Sequence, residues 1–92
     1  MEFKAAYKAA KLIRVSIKVE NGKINSIKFT GDFFMYPEDA IWKLEEELKG
    51  VELNESKLIQ IIQSFFKREN VITPLIEPKD FVKAIMKAIG RG

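Results

Sequence analysis

The stretch LIRVSIKVENGKINSIKFTGDFF, residues 12–34, decides the fold class of this chain. In its first part apolar side chains alternate with polar ones, and the apolar positions are Ile13, Val15, Ile17 and Val19. An Asn-Gly pair at 21–22 follows, and Ile27 and Phe29 then repeat the alternation. Alternation with a period of two on both sides of Asn-Gly predicts two half-buried antiparallel strands joined as a hairpin.

The parity of the apolar positions selects the predicted turn. A two-residue loop at 21–22 would place Val15 opposite Lys28 and split the apolar residues between the two faces. A three-residue loop at 20–22 places Val15 opposite Ile27 and keeps one face apolar. We therefore predict a type I turn followed by a bulge, with the glycine in the left-handed conformation.

The remaining elements follow from alternation and helix-end signals. Phe3, Ala5, Tyr7 and Ala9 alternate with other residues and predict a first strand. Helices are predicted from Pro37 to Gly50, over roughly 55–68 behind an Asn54 cap, and over roughly 78–89. The predicted fold is α+β: a three-stranded antiparallel meander followed by three helices packed on one face, in a single domain, 1–92. The other sheet face would carry Arg14, Ser16, Lys18, Ser26 and Lys28.

The composition excludes several classes of chemistry. The 92 residues contain no Cys and no His, so disulfides, thiolate nucleophiles and Cys/His zinc sites cannot form. The acidic residues show no metal-ligand spacing. We therefore predict no catalytic, cofactor-binding or metal site in this chain. A signal-peptide pattern and an apolar run of about 20 residues are both absent, which predicts a cytoplasmic location and no membrane association.

The charge is unevenly distributed along the chain. The net charge is +3. Residues 1–31 carry seven cations and two carboxylates, residues 32–56 carry two cations and eight carboxylates, and residues 57–92 carry seven cations and three carboxylates. Separate basic and acidic zones suit docking onto a partner of mixed charge. A nucleic-acid binder usually carries a stronger and more continuous basic field.

The segment after the hairpin, GDFFMYPEDA at 31–40, is richer in aromatic residues than a turn requires. We expect Phe33 and Phe34 to fill the seam between the sheet and the helices. Met35 and Tyr36 are the better candidates for contact with a partner. The predicted buried stripe of the first helix is Ile41, Leu44 and Leu48. Trp42 stands off this stripe, and two interpretations remain open: a partly buried edge of the core, or an interface anchor.

The basic outer face of the sheet could suggest RNA binding. Sheets that bind RNA need aromatic side chains on the open face to stack bases. Phe29 lies on the core face by parity, whereas the placement of Phe3 and Tyr7 is left open. We therefore predict no nucleic-acid partner.

The hairpin and its exit resemble a known family. The stretches 11–15, 21–24 and 27–34, the last ending in Gly31, Asp32, Phe33 and Phe34, resemble the C-terminal accessory domain of lipoate–protein ligases. The segments 37–40, 48–50 and 78–81 match as well, so the resemblance covers nearly the whole chain. Many members carry a Pro-Gly-Gly-type run where this chain has Lys-Ala-Ala-Lys at 8–11.

The resemblance implies a division of labour between two chains. Family enzymes use ATP to make lipoyl-AMP and then pass the lipoyl group to a lysine of a lipoyl domain. Their catalytic residues lie in a separate large domain, and some archaeal ligases are split into two chains. The fold is also similar to that of iron–sulfur scaffold proteins, whose cluster cysteines this chain lacks.

The resulting expectation is a non-catalytic accessory subunit of a two-part, archaeal-type lipoate–protein ligase. Its partners would be the catalytic large subunit in a heterodimer and, through the complex, lipoyl-domain acceptor proteins. ATP, magnesium and lipoate would be used by the complex and not bound by this chain. The alternatives are a freestanding protein-binding adaptor and an RNA-binding module. The predicted contact residues are Lys8, Lys11, Arg14, Met35, Tyr36 and Trp42.

Overall fold

The structure, a computed structural model, describes residues 1–91, and the last residue of the predicted domain lies outside the described residues. The elements are, in order, β1 (Glu2–Lys8), β2 (Leu12–Glu20), β3 (Lys23–Gly31), α1 (Ala40–Leu48), α2 (Glu55–Arg68) and α3 (Pro78–Ala88). The strands form one antiparallel sheet in the order β1-β2-β3. Helix α3 packs on β1 and β2, α2 packs on α3, and α1 packs on β3. The predicted α+β meander with three helices is confirmed.

The hairpin turn differs from the predicted one. Asn21 and Gly22, with φ of 52° and 72°, form a two-residue loop. Val19 pairs with Ile24, whereas the predicted three-residue loop required Val19 opposite Lys23. Asn-Gly readily adopts the left-handed conformation at both positions, which suits the strand twist of a two-residue hairpin. The predicted turn is therefore wrong.

A bulge inside β3 solves the parity problem instead. Lys18 pairs with Ser26 while the next residue of β2 pairs with Ile24, so Asn25 is the extra residue. Beyond this bulge Ile17 lies opposite Ile27, and the apolar side chains of both strands share one face. The one-residue correction that the pattern demands is present, but it lies in the strand and not in the turn.

The core lies between the sheet and the helices, and its centre is Phe81 of α3, which is fully buried. The ring centroids of Phe29 and Phe33 each lie 5.3 Å from that of Phe81 in edge-to-face geometry. Phe3 and Tyr7 pack partly buried against this core, which answers the question left open by the sequence. The outward positions of β1, β2 and β3 therefore carry no aromatic side chain. Arg14, Lys18 and Lys28 are exposed there, as predicted.

Helix α1 begins later than predicted. The expected start was Pro37, but the helix begins at Ala40, whose N–H donates to the Pro37 carbonyl at 3.0 Å. Residues 37–39 form a turn between the bridge of Tyr36 to Ile72 and the first residue of the helix. The acidic residues at 38–39 consequently precede the first helical turn. Ala40, Leu44 and Leu48 are the buried residues of α1, while Ile41, expected among them, is half-buried.

The other two helices follow their local signals. Asn54 caps α2, and its Oδ1 accepts a hydrogen bond from the N–H of Lys57 at 3.0 Å, as predicted. Helix α3 begins at Pro78 as predicted and ends at Ala88, so Ile89, the last residue of the predicted range, is a half-buried cap residue. No helix within residues 1–91 is long and apolar enough to cross a membrane.

Both outer strands have partners for part of their free edge. Along β3, Phe29 N–H donates to Glu45 Oε2 of α1 at 2.8 Å, and Ile24 N–H donates to the Val51 carbonyl at 2.9 Å. On β1, Lys87 Nζ donates to the Ala6 carbonyl at 2.7 Å. Satisfying edge groups in this way reduces the tendency of a sheet to pair with other chains.

Candidate partner interface

The chain leaves the sheet at Gly31, where β3 lies tightly against β2. Gly31 has φ of 144°, and a Cβ there would lie 2.1 Å from the Leu12 carbonyl oxygen. The next N–H, of Asp32, donates to that same oxygen at 3.0 Å. Since only glycine fits this close approach, the exit direction of the following segment is fixed by backbone contacts.

The four residues after Asp32 alternate between the core and solvent. Phe33 packs on Phe81, which confirms its predicted role in the seam. Phe34 is 66% exposed, so its predicted seam position is wrong. Met35 is only 8% exposed, whereas Tyr36 is 51% exposed. Alternation puts Phe34 and Tyr36 outside and turns Met35 inward, so Met35 offers little surface to a partner.

A second segment lies beside this exit. Tyr36 N–H donates to the Ile72 carbonyl at 2.9 Å, and Ile72 N–H donates to the Tyr36 carbonyl at 2.8 Å. A pair that exchanges both backbone hydrogen bonds presents its two side chains on the same face. Ile72 is 63% exposed beside Tyr36.

The second segment then turns sharply. Ile76 N–H donates to the Thr73 carbonyl at 3.2 Å, and the Thr73 hydroxyl donates to the Ile76 carbonyl at 2.8 Å. Pro74 and Leu75 occupy the two central positions of this turn, and Leu75 has φ of 67°. Glycine usually fills such a position, and a branched side chain there costs roughly 1–2 kcal/mol. Leu75 is nonetheless 72% exposed, so its side chain gains little from the core in return.

We call the four exposed apolar residues of these two paired segments, Phe34, Tyr36, Ile72 and Leu75, the exit patch. With about 200 Å² for a fully exposed side chain of this size, the four expose roughly 500 Å². That is comparable to the largest apolar patch of a typical monomer, which often has a function. Sequence analysis missed Ile72 and Leu75. The Pro-Leu pair at 74–75 was the only sequence signal for a turn in this segment. No sequence pattern indicated that the segment lies beside Tyr36.

The predicted basic contacts lie at the same end of the molecule as the exit patch. Lys11 lies in the connection between β1 and β2, and Lys8 and Arg14 lie exposed on the outer face of these strands. The pairing of Ile13 with Gly31 brings this connection next to the sheet exit.

Trp42 lies elsewhere, on α1. It is 67% exposed, so its interpretation as a partly buried edge of the core is wrong. The side chain lines a groove with Lys18 and Lys28 of the sheet and Glu46 of its own helix. On its other side it shares a second groove with Lys43.

The titratable groups form no metal-binding cluster within residues 1–91. Hydrogen bonds to Glu47 and then to Glu69 raise the pKa of the Arg68 guanidinium. These three side chains join α1 to the end of α2. They are a surface ion-pair cluster, which contributes little to stability because water screens it.

Comparisons with known proteins assign the chain to a family. Residues 6–85 match the family model described as "Bacterial lipoate protein ligase C-terminus". A Thermoplasma acidophilum protein, "Lipoate-protein ligase A subunit 2", is 42% identical over 86 residues, which are 92% of this chain and 88% of that protein.

A solved structure gives the same assignment. It is described as an archaeal lipoylation system, with a bi-partite lipoate protein ligase and its E2 lipoyl domain, from Thermoplasma acidophilum. The matched chain has a TM-score of 0.83 and 41% identity, and the match covers 92% of this chain and 94% of that one. The family model and the relative cover most of this chain. The chain therefore belongs to the lipoate protein ligase C-terminus family.

Proposed function

We propose that this chain is the non-catalytic small subunit of a two-part lipoate–protein ligase. One observation carries the proposal: 42% identity to a protein described as a ligase subunit, over 92% of this chain and 88% of the relative. Both proteins span the same unit of structure, which makes a shared role in assembly the simplest account. The proposed activity of the complex is ATP-dependent conversion of lipoate to lipoyl-AMP, followed by lipoylation of an acceptor domain.

In this proposal the small subunit acts by shifting a conformational equilibrium. It binds the catalytic chain more tightly in the form that is competent for adenylation, and so raises the population of that form. Stimulation of about 10- to 100-fold needs about 1.4–2.8 kcal/mol of difference in binding between the two forms. ATP, magnesium and lipoate are bound by the catalytic chain, and this chain supplies surface alone.

The proposed contacts come from both sides of the sheet exit. Tyr36 supplies apolar contact directly, and buried Met35 supports it from within the core. Lys8, Lys11 and Arg14 supply charge from the neighbouring connection, and Trp42 is a separate exposed anchor on α1. Exposed aromatic and arginine side chains are the residue types that dominate binding energy at interfaces.

The test is reconstitution with the catalytic subunit of the same organism. Lipoate, ATP and magnesium are added with and without this chain, and lipoyl-AMP and the lipoylated acceptor domain are measured. We expect this chain to raise lipoyl-AMP formation at least about 10-fold. Equal formation without it would disprove the accessory role. Capture of a different protein, with no effect on the ligase, would instead favour a freestanding adaptor.

A further inference from the structure

The exit patch is held in place by its own backbone. Phe34 and Tyr36 leave the sheet from the fixed point at Gly31, and two hydrogen bonds tie Tyr36 to Ile72. A backbone that is fixed before binding loses little entropy when a partner covers its side chains. We propose that the exit patch docks into an apolar pocket, edged by lysine or arginine, on the catalytic subunit. This inference rests on the proposed function and adds to it the surface and the chemistry of the partner.

The first observation behind this inference is the strained, exposed Leu75. Strained backbone conformations cluster at functional sites because the surrounding structure must hold them. Here the turn closed between Thr73 and Ile76 holds a leucine where glycine would be less strained. Its side chain stays largely in water in the free chain. A partner pocket that receives the leucine side chain accounts for both the strain and the exposure.

The second observation is the charge around the patch, which determines the occupant. The segments 32–42 and 69–78 carry five carboxylates and no lysine or arginine, and three of the five pair with cations outside these segments: Asp39 with Lys43, Glu69 with Lys43 and Arg68, and Glu77 with Lys79. Within residues 1–91, Asp32 and Glu38 form no ion pair. A second copy would bring the same two unpaired carboxylates, and its cations Lys8, Lys11 and Arg14 lie in the neighbouring strands and their connection and not in the two patch segments. A different chain with cations around an apolar pocket can pair with both carboxylates.

The third observation is the size of the patch. About 800 Å² per partner is buried in a standard stable interface. The four residues of the patch expose roughly 500 Å², which is more than half of the area that one partner buries in such an interface. The patch therefore has the area and the composition of an interface centre, with the acidic residues as its rim.

The test measures binding to the catalytic subunit by calorimetry, together with thermal melting of the small subunit alone. The main variant is Leu75→Gly, because it removes the side chain and relieves the strained conformation. We expect its melting temperature to be unchanged or higher and its Kd to be weaker by about 10-fold. Adding Phe34→Ala should weaken Kd by about 100-fold in total. Gln60→Ala, at an exposed position of α2, is the control and should bind as wild type.

A charge reversal tests the edge of the pocket. Glu38→Lys places a cation beside Tyr36, and we expect association with the catalytic subunit to slow about 3- to 10-fold at low salt. Faster association of this variant would overturn the proposal that lysine or arginine residues edge the pocket on the catalytic subunit.

The outcomes separate the docking surface from the proposed function. Wild-type binding that the Leu75 and Phe34 substitutions leave unchanged would overturn the exit patch and leave the accessory role standing. Wild type that neither binds nor stimulates the catalytic subunit would overturn the accessory role, and the docking with it. If Leu75→Gly changes the oligomeric state of the isolated small subunit in solution and leaves binding to the catalytic subunit unaffected, the patch contacts a second copy and the proposal is overturned.

Discussion

Substitution of Gly31 by alanine tests the account of the sheet exit. The added Cβ would lie 2.1 Å from the Leu12 carbonyl oxygen, although carbon and oxygen normally approach no closer than about 3.3 Å. The end of β3 must therefore move by about 1 Å away from β2, which breaks the 3.0 Å hydrogen bond from Asp32 N–H. The lost bond costs about 1 kcal/mol and the backbone strain at φ of 144° costs about 1–3 kcal/mol.

We expect a loss of about 3–5 kcal/mol in the free energy of unfolding once the displacement of the strand end is included. A domain of this size is stable by only about 5–15 kcal/mol, and each kcal/mol lowers its melting temperature by about 4–8 °C, so the melting temperature should fall by about 12–40 °C. Urea denaturation followed by circular dichroism measures the free energy directly. Because the exit patch leaves the sheet at this point, binding to the catalytic subunit should weaken as well.

Gly22→Ala is the matched control in the same hairpin. Gly22 also has positive φ, 72°, but a Cβ there would meet no atom within 4 Å. Its expected cost is about 1–2 kcal/mol, from backbone strain alone. If the two substitutions cost the same, the close approach to Leu12 is not what requires Gly31, and the reasoning fails.

Three further substitutions test the core packing, the sheet edge and the helix cap. Phe81→Ala removes the ring on which two other phenylalanine rings pack edge-to-face, and unfolding measurements should show a loss of about 3–5 kcal/mol. Glu45→Ala leaves the edge N–H of Phe29 without its acceptor and should cost about 1.5–3 kcal/mol, whereas Glu45→Gln, which keeps an oxygen, should recover part of the loss. Asn54→Ala removes the cap of α2 and should cost about 1 kcal/mol, with helix fraying visible in hydrogen exchange; an unchanged exchange pattern would contradict the capping role.

Features that depend on neighbouring residues were predictable from the sequence. The Asn54 cap and the apolar stripe gave the bounds of α2, since a cap bonds within three residues of itself. Alternation gave the strands and the outward basic face. The position of Phe33 in the seam was also predicted, because it continues the inward-facing order of β3.

Features that depend on distant contacts were not predictable. Parity required a one-residue correction in the hairpin, but both a longer turn and a bulge at Asn25 satisfy it, and packing chose the bulge. The bridge of Tyr36 to Ile72, far along the chain, and the turn at 37–39 that precedes Ala40 carry no local sequence signal.

The sequence alone determined the α+β fold class, the family and the aromatic exit from the sheet, because these depend on short-range patterns. Tertiary structure alone decided which exit residues face outward, Phe34 in place of Met35. It also placed Ile72 beside Tyr36, since that surface forms only when two segments more than 30 residues apart pair through their backbones. The sequence therefore located the exit as the candidate interface, and the fold assembled the patch that would serve as one.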